Sequence, residues 1–133
     1  MNLPRVTALL SPYSDWSQIP PDVLDYASDR GTRAHAASLA YACGLWMSVD
    51  EDIAGYVESF KAWHDRYVVE VLAVEKELIH PKWNYVGHCD LIARVRGYKA
   101  EPVIGLLDLK TPVGASLTWM GQLAAYKIGR AHV

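Results

Sequence analysis

The chain has 133 residues, with 13 Lys and Arg, 15 Asp and Glu, and a formal net charge of −2. A chain of this length can form one domain with an adequate core. The net charge excludes an overall positive potential of the kind that indicates nucleic-acid binding. A local basic groove is still compatible with that charge. The two cysteines, Cys43 and Cys89, are too few for a disulfide scaffold or an iron–sulfur cluster, so we interpret both as buried thiols.

The beginning of the chain lacks the pattern of a secretion signal. Residues Met1–Arg5 are not followed by the apolar core of a signal peptide, and no run of the sequence has the length of a transmembrane helix. We therefore expect a cytoplasmic protein that makes no use of a membrane.

Residues 1–21 form an N-terminal segment that is rich in proline and serine, which are typical of turns. Within it, Val6–Leu10 is compatible with either a short helix or a short strand. A helix is then predicted from about Asp22 to Ala42, because Pro21 and Asp22 suit a first helical turn and Gly44 is a stop signal.

A second helix is predicted from about Val49 to Tyr67, with acidic residues in its first turn that favour the helix macrodipole. Three strands follow, since runs rich in Val, Ile and Leu are separated by turn-forming residues. A last helix is predicted from about Ser116. The order α-α-β-β-β-α predicts an α/β domain, and the strands are Val68–Ile79, Val86–Val95 and Val103–Lys110.

The second and third strands carry two acidic motifs, Gly87-His88-Cys89-Asp90 and Asp108-Leu109-Lys110-Thr111. In an antiparallel hairpin, the numbers of opposed residues have a constant sum. A turn centred on Lys99 therefore predicts that Asp90 lies directly opposite Asp108. Like charges at opposed positions are destabilising, so this arrangement indicates a bound divalent cation between the carboxylates.

Two acids and a lysine on one strand face are typical of metal-dependent hydrolysis. Lys110 lies two residues beyond Asp108 and is predicted to share its face. Mg²⁺ prefers carboxylate oxygen and needs few protein ligands, and it lowers the pKa of an attacking water. Lys110 would neutralise developing charge or orient that water. The neighbouring residues predict a buried strand, in which Asp and Lys are rarely unpaired: Ile104, Leu106, Leu107 and Leu109.

The first long helix contains a third motif, Arg30-Gly31-Thr32-Arg33-Ala34-His35. A glycine inside a helix costs about 1 kcal/mol relative to alanine, so Gly31 indicates a close backbone approach. His35 lies on an alanine-rich face and is a candidate ligand for a metal held by the sheet. Taken alone, an ordinary core or surface histidine would be the better interpretation of it.

The predicted last helix carries Trp119, Gln122 and Tyr126, whose steps of three and four residues place them on one face. Gln and Tyr offer neutral hydrogen bonds to phosphate, and Trp offers a stacking surface. Ordinary packing is the alternative reading of this stripe.

The chain resembles the PD-(D/E)XK nuclease superfamily, because it contains four motifs in the order found in that family. The motifs are Gly-Thr-x-x-His, Gly-His-x-Asp, Asp-x-Lys-Thr and Gln-x-x-x-Tyr. The closest resemblance is to its RecB-like exonuclease branch, which includes phage and CRISPR-associated members. It spans about Arg30 to Tyr126. The resemblance implies a restriction-endonuclease-like fold, with a central mixed β-sheet flanked by helices.

The resemblance also implies roles for individual residues. His35, Asp90, Asp108 and the Leu109 carbonyl would be metal ligands. Asp90, Asp108 and Lys110 would be catalytic. Gln122 and Tyr126 would contact DNA and support the site, as would a glutamate of the preceding strand, either Glu75 or Glu77. Some relatives hold an iron–sulfur cluster on four cysteines, which is excluded here because the chain has two.

The resemblance implies a Mg²⁺- or Mn²⁺-dependent deoxyribonuclease, and it favours an exonuclease over an endonuclease. It would serve DNA recombination, repair or processing in the cytoplasm of a bacterial or phage-infected cell, with DNA and a recombination or repair protein as partners. The alternatives are a nuclease-fold DNA-binding module without catalysis, a PD-(D/E)XK endonuclease, and an α/β domain whose acids are structural. The oligomeric state is left open.

The sequence divides into a segment at 1–21, a nuclease domain at 22–126 and a tail at 127–133. The tail, Lys-Ile-Gly-Arg-Ala-His-Val, resembles the conceptual translation of a sequencing adapter. We therefore expect it to be non-native and the natural domain to be truncated at its C-terminal side near Tyr126.

Overall fold

The computed structural model describes residues 3–13, 17–97, 101–111 and 125. Helices dominate the first half of the chain and strands the second. Residues Val6–Leu10, for which the sequence left helix or strand open, form a short helix, α1. The helices are α1 (Val6–Leu10), α2 (Pro21–Ala42) and α3 (Ala54–Tyr67), and two 3-10 helices cover Ser11–Tyr13 and Glu51–Ile53.

Helix α2 has the bounds that its terminal residues predict. Pro21 is the first helical residue, where its missing N–H is no loss, and the helix ends at Ala42. The backbone of Gly44 has a φ of 76°, a left-handed conformation that glycine adopts without steric cost. The helix predicted from Asp22 to Ala42 is therefore confirmed to within one residue.

Helix α3 begins later than predicted, because the acids before it have another partner. Asp50 has extended backbone, and the α-helix starts at Ala54 after the 3-10 helix. Arg33 of α2 reaches across and binds Asp50 Oδ2 at 3.0 Å and Asp52 Oδ2 at 2.7 Å. These two carboxylates therefore tie α3 to α2, a role beyond the predicted complement to a helix dipole.

The three strands form one antiparallel sheet in the order β1-β2-β3. Its strands are β1 (Val68–Ile79), β2 (Val86–Val95) and β3 (Val103–Leu107). The mixed sheet that was expected does not occur within the described ranges, where parallel pairing is limited to a single bridge between Arg5 and Val86. The described part of the chain is thus a mixed α/β fold with an antiparallel sheet, and the last helix predicted from Ser116 lies outside it.

Strand β3 is shorter and more exposed than predicted. It ends at Leu107 rather than Lys110, because the N–H of Leu109 is donated to the side chain of Asp90 instead of to a strand. Val103 and Ile104 are 43% and 45% exposed, so the start of the strand is not buried.

The core lies where α2 and α3 meet each other and the sheet. Ala34 and Ala37 of α2 pack against Val57 of α3, and a second cluster joins the helices to β2. A third cluster attaches α1 to the sheet through Val6, and Cys89 is part of it. The members of the second cluster are Leu39, Phe60, Leu91 and Ala93.

The two thiols differ from each other. Cys89 is fully buried, as expected, and burial raises its pKa. Cys43 is exposed after the end of α2, so the expectation that both are buried is wrong for Cys43. Among the described helices, none is both long and apolar enough to span a membrane.

The ion pairs of Arg33 with Asp50 and Asp52 predict how the stability of the fold changes at low pH. The guanidinium of Arg33 and the hydroxyl of Tyr26 hold the pKa of Asp52 well below its usual range. A depressed folded pKa means that this contribution is complete above the unfolded value near 3.9 and is lost as the pH falls below it. We expect Arg33→Met to lower the free energy of unfolding at pH 7 and to flatten its decline between about pH 5 and pH 3.

Urea denaturation at a series of pH values measures both effects. Arg66→Met is the matched control, because Arg66 is an exposed residue near the end of α3. An acid slope that is the same in Arg33→Met as in the unchanged protein would contradict the assignment.

Candidate metal and phosphate site

The pairing of β2 with β3 brings the two aspartates level with each other. Leu91 pairs with Leu107 and Val95 with Val103, so every pair has the predicted sum. One step beyond the last pair lie Asp90 and Asp108. The predicted register is therefore confirmed, although Asp108 follows the end of β3 instead of lying within it.

Asp90 is the half-buried centre of the site. Its Oδ2 accepts a hydrogen bond from the Leu109 N–H at 2.7 Å, and His35 Nδ1 lies 4.0 Å from the same oxygen. Burial raises the pKa of Asp90, and the neighbouring Asp108 carboxylate adds to the increase. The Leu109 N–H opposes it in part, so the chain holds this carboxylate under unfavourable electrostatic conditions.

Asp108 is the more buried acid, and it has the predicted lysine as a neighbour. Its side chain is 7% exposed, and its Oδ2 lies 2.6 Å from Lys110 Nζ, whose side chain is 30% exposed. The two side chains are therefore in contact, although both residues follow the end of β3 and do not share a strand face as predicted. Lys110 places a positive charge at the edge of a pair of acids, where it partly offsets their mutual repulsion.

Helix α2 packs closely on the segment that carries Lys110. A Cβ at Gly31 would lie 3.3 Å from Thr111 Oγ1, which is tighter than most van der Waals contacts. The Arg30 guanidinium donates to the Thr111 carbonyl at 3.0 Å. The close approach predicted for Gly31 is thus confirmed, and it fixes the residue that follows Lys110.

Arg30 is a positioning residue that the sequence did not single out. Its guanidinium lies 5.8 Å from the ring centroid of Tyr26 and 5.4 Å from that of Tyr56, within the range of cation–π contacts. Arg30 therefore joins α2, α3 and Thr111. Its place directly before Gly31 was the available signal, but nothing local indicated Tyr56 as a partner.

Two hollows open beside the acidic motifs, and His35, Asp108 and Lys110 line both. The smaller hollow has a volume of about 200 Å³ and is also lined by Asp90 and by the N-terminal segment. The larger has a volume of about 280 Å³ and extends along α3. Polar residues that line the smaller hollow include Arg5, Thr7 and His88, and aromatic residues that line the larger are Tyr56, Phe60 and Trp63.

The two candidate glutamates lie on β1, next to Asp90 in the sheet. Val74 pairs with Leu91 and Lys76 with Cys89, so Glu75 is level with Asp90. Glu75 has a φ of 52°, a left-handed conformation that costs a non-glycine residue roughly 1–2 kcal/mol. Glu77 contacts His88 instead, with 3.4 Å between Oε2 and Nε2. Neither glutamate lines the two hollows, so the supporting role stays a prediction.

Several predicted site residues lie outside the described ranges: Trp119, Gln122, Tyr126 and the tail at 127–133. Leu109 is described, and its N–H binds Asp90. Its carbonyl as a metal ligand stays a prediction.

The donor atoms suit a hard cation, although they do not form a closed cage. Within the described ranges, no three His, Cys, Asp or Glu side chains converge as a metal-binding group. Mg²⁺ is usually held by one or two carboxylates and keeps several waters, so Asp90 and Asp108 are sufficient in kind and number. Burial and the neighbouring Asp108 carboxylate raise the pKa of Asp90, so a bound cation would stabilise its charged form.

Comparison of the chain with protein-family models gave no match, and comparison with curated proteins gave no significant match. The resemblance to PD-(D/E)XK nucleases therefore depends on the motifs and on the arrangement of their residues.

The contact between Gly31 and Thr111 can be tested by a double-mutant cycle. Alanine is favoured over glycine inside a helix by about 1 kcal/mol, but here its methyl group meets Thr111 Oγ1. We expect Gly31→Ala to stabilise the fold by about 1 kcal/mol in a Thr111→Ala background and by clearly less in the unchanged protein. Chemical denaturation of the four proteins gives the coupling energy. Equal effects in both backgrounds would show that the two residues do not touch.

Removing the charge of Asp90 should stabilise the protein when no metal is present. Its raised pKa means that the unfavourable contribution is complete above that pKa and disappears as the pH falls through it. Asp90→Asn keeps an oxygen for the Leu109 N–H. We expect it to raise the free energy of unfolding at pH 7.5 in chelator by about 1 kcal/mol, or Tm by about 4 °C.

Asp65→Asn is a control of opposite sign, because a hydrogen bond from Tyr41 lowers the pKa of Asp65. It should destabilise the fold. A destabilised Asp90→Asn protein would mean that the Asp90 charge is satisfied without a cation.

Proposed function

We propose that the protein is a Mg²⁺- or Mn²⁺-dependent deoxyribonuclease of the PD-(D/E)XK type. The observation that carries the proposal is the meeting of Asp90, Asp108 and Lys110 at the open end of the β2–β3 pairing. Two carboxylates and a lysine beside open hollows suit phosphodiester hydrolysis with a bound cation. A purely structural cluster would not need to be accessible from solvent.

Each side chain has a role that follows from its position. Asp90 and Asp108 would hold the cation, and the Leu109 N–H orients the Asp90 carboxylate. His35, at 4.0 Å from Asp90, is placed to bind the same cation or one of its waters. The cation, when bound, polarises the phosphate and lowers the pKa of a bound water. Lys110 can turn from Asp108 toward the phosphate, where it neutralises charge that develops on the oxygens.

The finer features of the proposal come from the resemblance of the motifs. They are a restriction-endonuclease-like fold, preference for DNA ends, and a place in DNA recombination, repair or processing. By the same resemblance, the reaction would occur in the cytoplasm of a bacterial or phage-infected cell.

Cleavage of end-labelled linear DNA and closed circular DNA tests the proposal. With Mg²⁺ or Mn²⁺ we expect loss of the linear DNA and no loss in chelator. Asp108→Ala should abolish cleavage, and Lys110→Ala should reduce it by at least about 100-fold. Lys76→Ala is the matched control, because Lys76 is exposed and lies outside both hollows.

The circular substrate separates the two modes of attack. Cutting of the circle as well as the linear DNA would assign an endonuclease to the same residues. Full activity of Asp108→Ala would overturn the assignment of the site, and a lack of cleavage by the unchanged protein would overturn the catalytic proposal.

A further inference from the structure

The larger hollow has a chemistry that hydrolysis of a phosphate does not require. Most of its accessible lining is apolar, and three aromatic residues contribute to it, with Phe60 buried and Tyr56 and Trp63 half-buried. A site that needed only to hold a cation and a phosphate would be lined by polar groups. The hollow also reaches one of the two acids, since Asp108 and Lys110 are among its lining residues. Whatever occupies it therefore lies next to the reacting phosphate.

The size of the hollow limits the occupant. Its volume of about 280 Å³ is just below the range for pockets of drug-sized ligands, which runs from roughly 300 to 1,000 Å³. One flat aromatic group can enter beside Trp63 and Tyr56, but a stacked base pair cannot. Ser38, which is buried, and Ser59, which is exposed, add hydroxyl groups that can bind the edge of a polar ring.

The smaller hollow has the opposite character, and this indicates how a polynucleotide would lie. Arg5, Thr7 and His88 line it, and these side chains suit the sugar–phosphate backbone. A strand that crosses the acids would then have its backbone in the smaller hollow and a base in the larger one. Aromatic side chains bind bases of any sequence by stacking on their π faces.

We infer that the larger hollow binds the unpaired nucleobase next to the scissile phosphate, so that the protein acts on single-stranded DNA or frayed ends. This inference depends on the proposed nuclease function. A paired base would have to leave its helix to enter, and that step is least unfavourable for a nucleotide that is already single-stranded.

The test combines a change in the protein with a change in the substrate. Ser59→Tyr places a ring at the mouth of the larger hollow, whereas Ala62→Tyr places the same ring on the exposed side of α3, away from the hollow. Single-stranded oligonucleotides with one abasic position, scanned along the strand, remove the base instead. Cleavage of each substrate by the full chain with Mg²⁺ gives kcat/KM.

With the unchanged protein, we expect a missing base beside the scissile phosphate to lower kcat/KM by roughly 5- to 100-fold, the range for loss of one stacked base. Ser59→Tyr should lower kcat/KM on intact single strands by a similar factor and show no further loss on the abasic strand. Ala62→Tyr should behave like the unchanged protein. Duplex DNA of the same sequence should be cleaved more slowly than the single strand.

The outcomes separate this inference from the proposed function. If the unchanged protein cleaves DNA but Ser59→Tyr is as active as Ala62→Tyr and the abasic strand is cut at the normal rate, the base does not enter the hollow. Equal cleavage of duplex and single strand would overturn the inference in the same way. If no DNA is cleaved with either metal, the nuclease proposal itself fails and this inference fails with it.

Discussion

The backbone pairing of β2 with β3 is the constraint on which the site depends. Hydrogen bonds between main chains set the register from Val95–Val103 to Leu91–Leu107, and the next residues are Asp90 and Asp108. Asp90 lies within β2 and Asp108 directly follows the last ladder pair, so the ladder keeps the two acids close to each other. Burial raises the pKa of Asp90 and the neighbouring Asp108 adds to the increase, whereas the Leu109 N–H and the Lys110 charge oppose it. A stable frame thus holds an unfavourable charge pair, an arrangement common at functional sites.

Two arginines of α2 connect the two long helices to each other and to the end of the acidic motif. Arg30 binds the Thr111 carbonyl between two tyrosine rings, so the end of the acidic motif is attached to both long helices. Arg33 binds Asp50 and Asp52 before α3. The orientation of α2 relative to β2 also decides whether His35 faces Asp90. The wall of each hollow is therefore set by contacts between residues that are far apart in sequence.

Local patterns were sufficient for the parts of the fold that depend on local physics. The apolar runs predicted β1 and β2 with their observed bounds, and the centre of the turn at Lys99 predicted the register of the hairpin. The end of β3 depended on a side-chain hydrogen bond from Asp90, 19 residues away, and no local pattern contains that contact. The start of α3 was misplaced for the same reason, since Arg33 determines the conformation around Asp50. The larger hollow forms only where α2, α3 and the end of β3 come together, so no local sequence pattern predicted it.

The two hollows differ in a way that bears on which face of a bound strand each of them would receive. If the backbone lies beside Arg5 and a base lies beside Trp63, a strand turned over about its own long axis would exchange these positions. A base among Arg5, Thr7 and His88 would lose its stacking, and a phosphate among aromatic rings would lose its hydrogen bonds without replacement. The unequal chemistry of the two sides therefore favours one orientation of the substrate over the acids. A rotation that reverses the polarity of the strand would leave its base and its backbone in the same two hollows, so their chemistry selects one face of the strand and leaves its direction to contacts along the backbone.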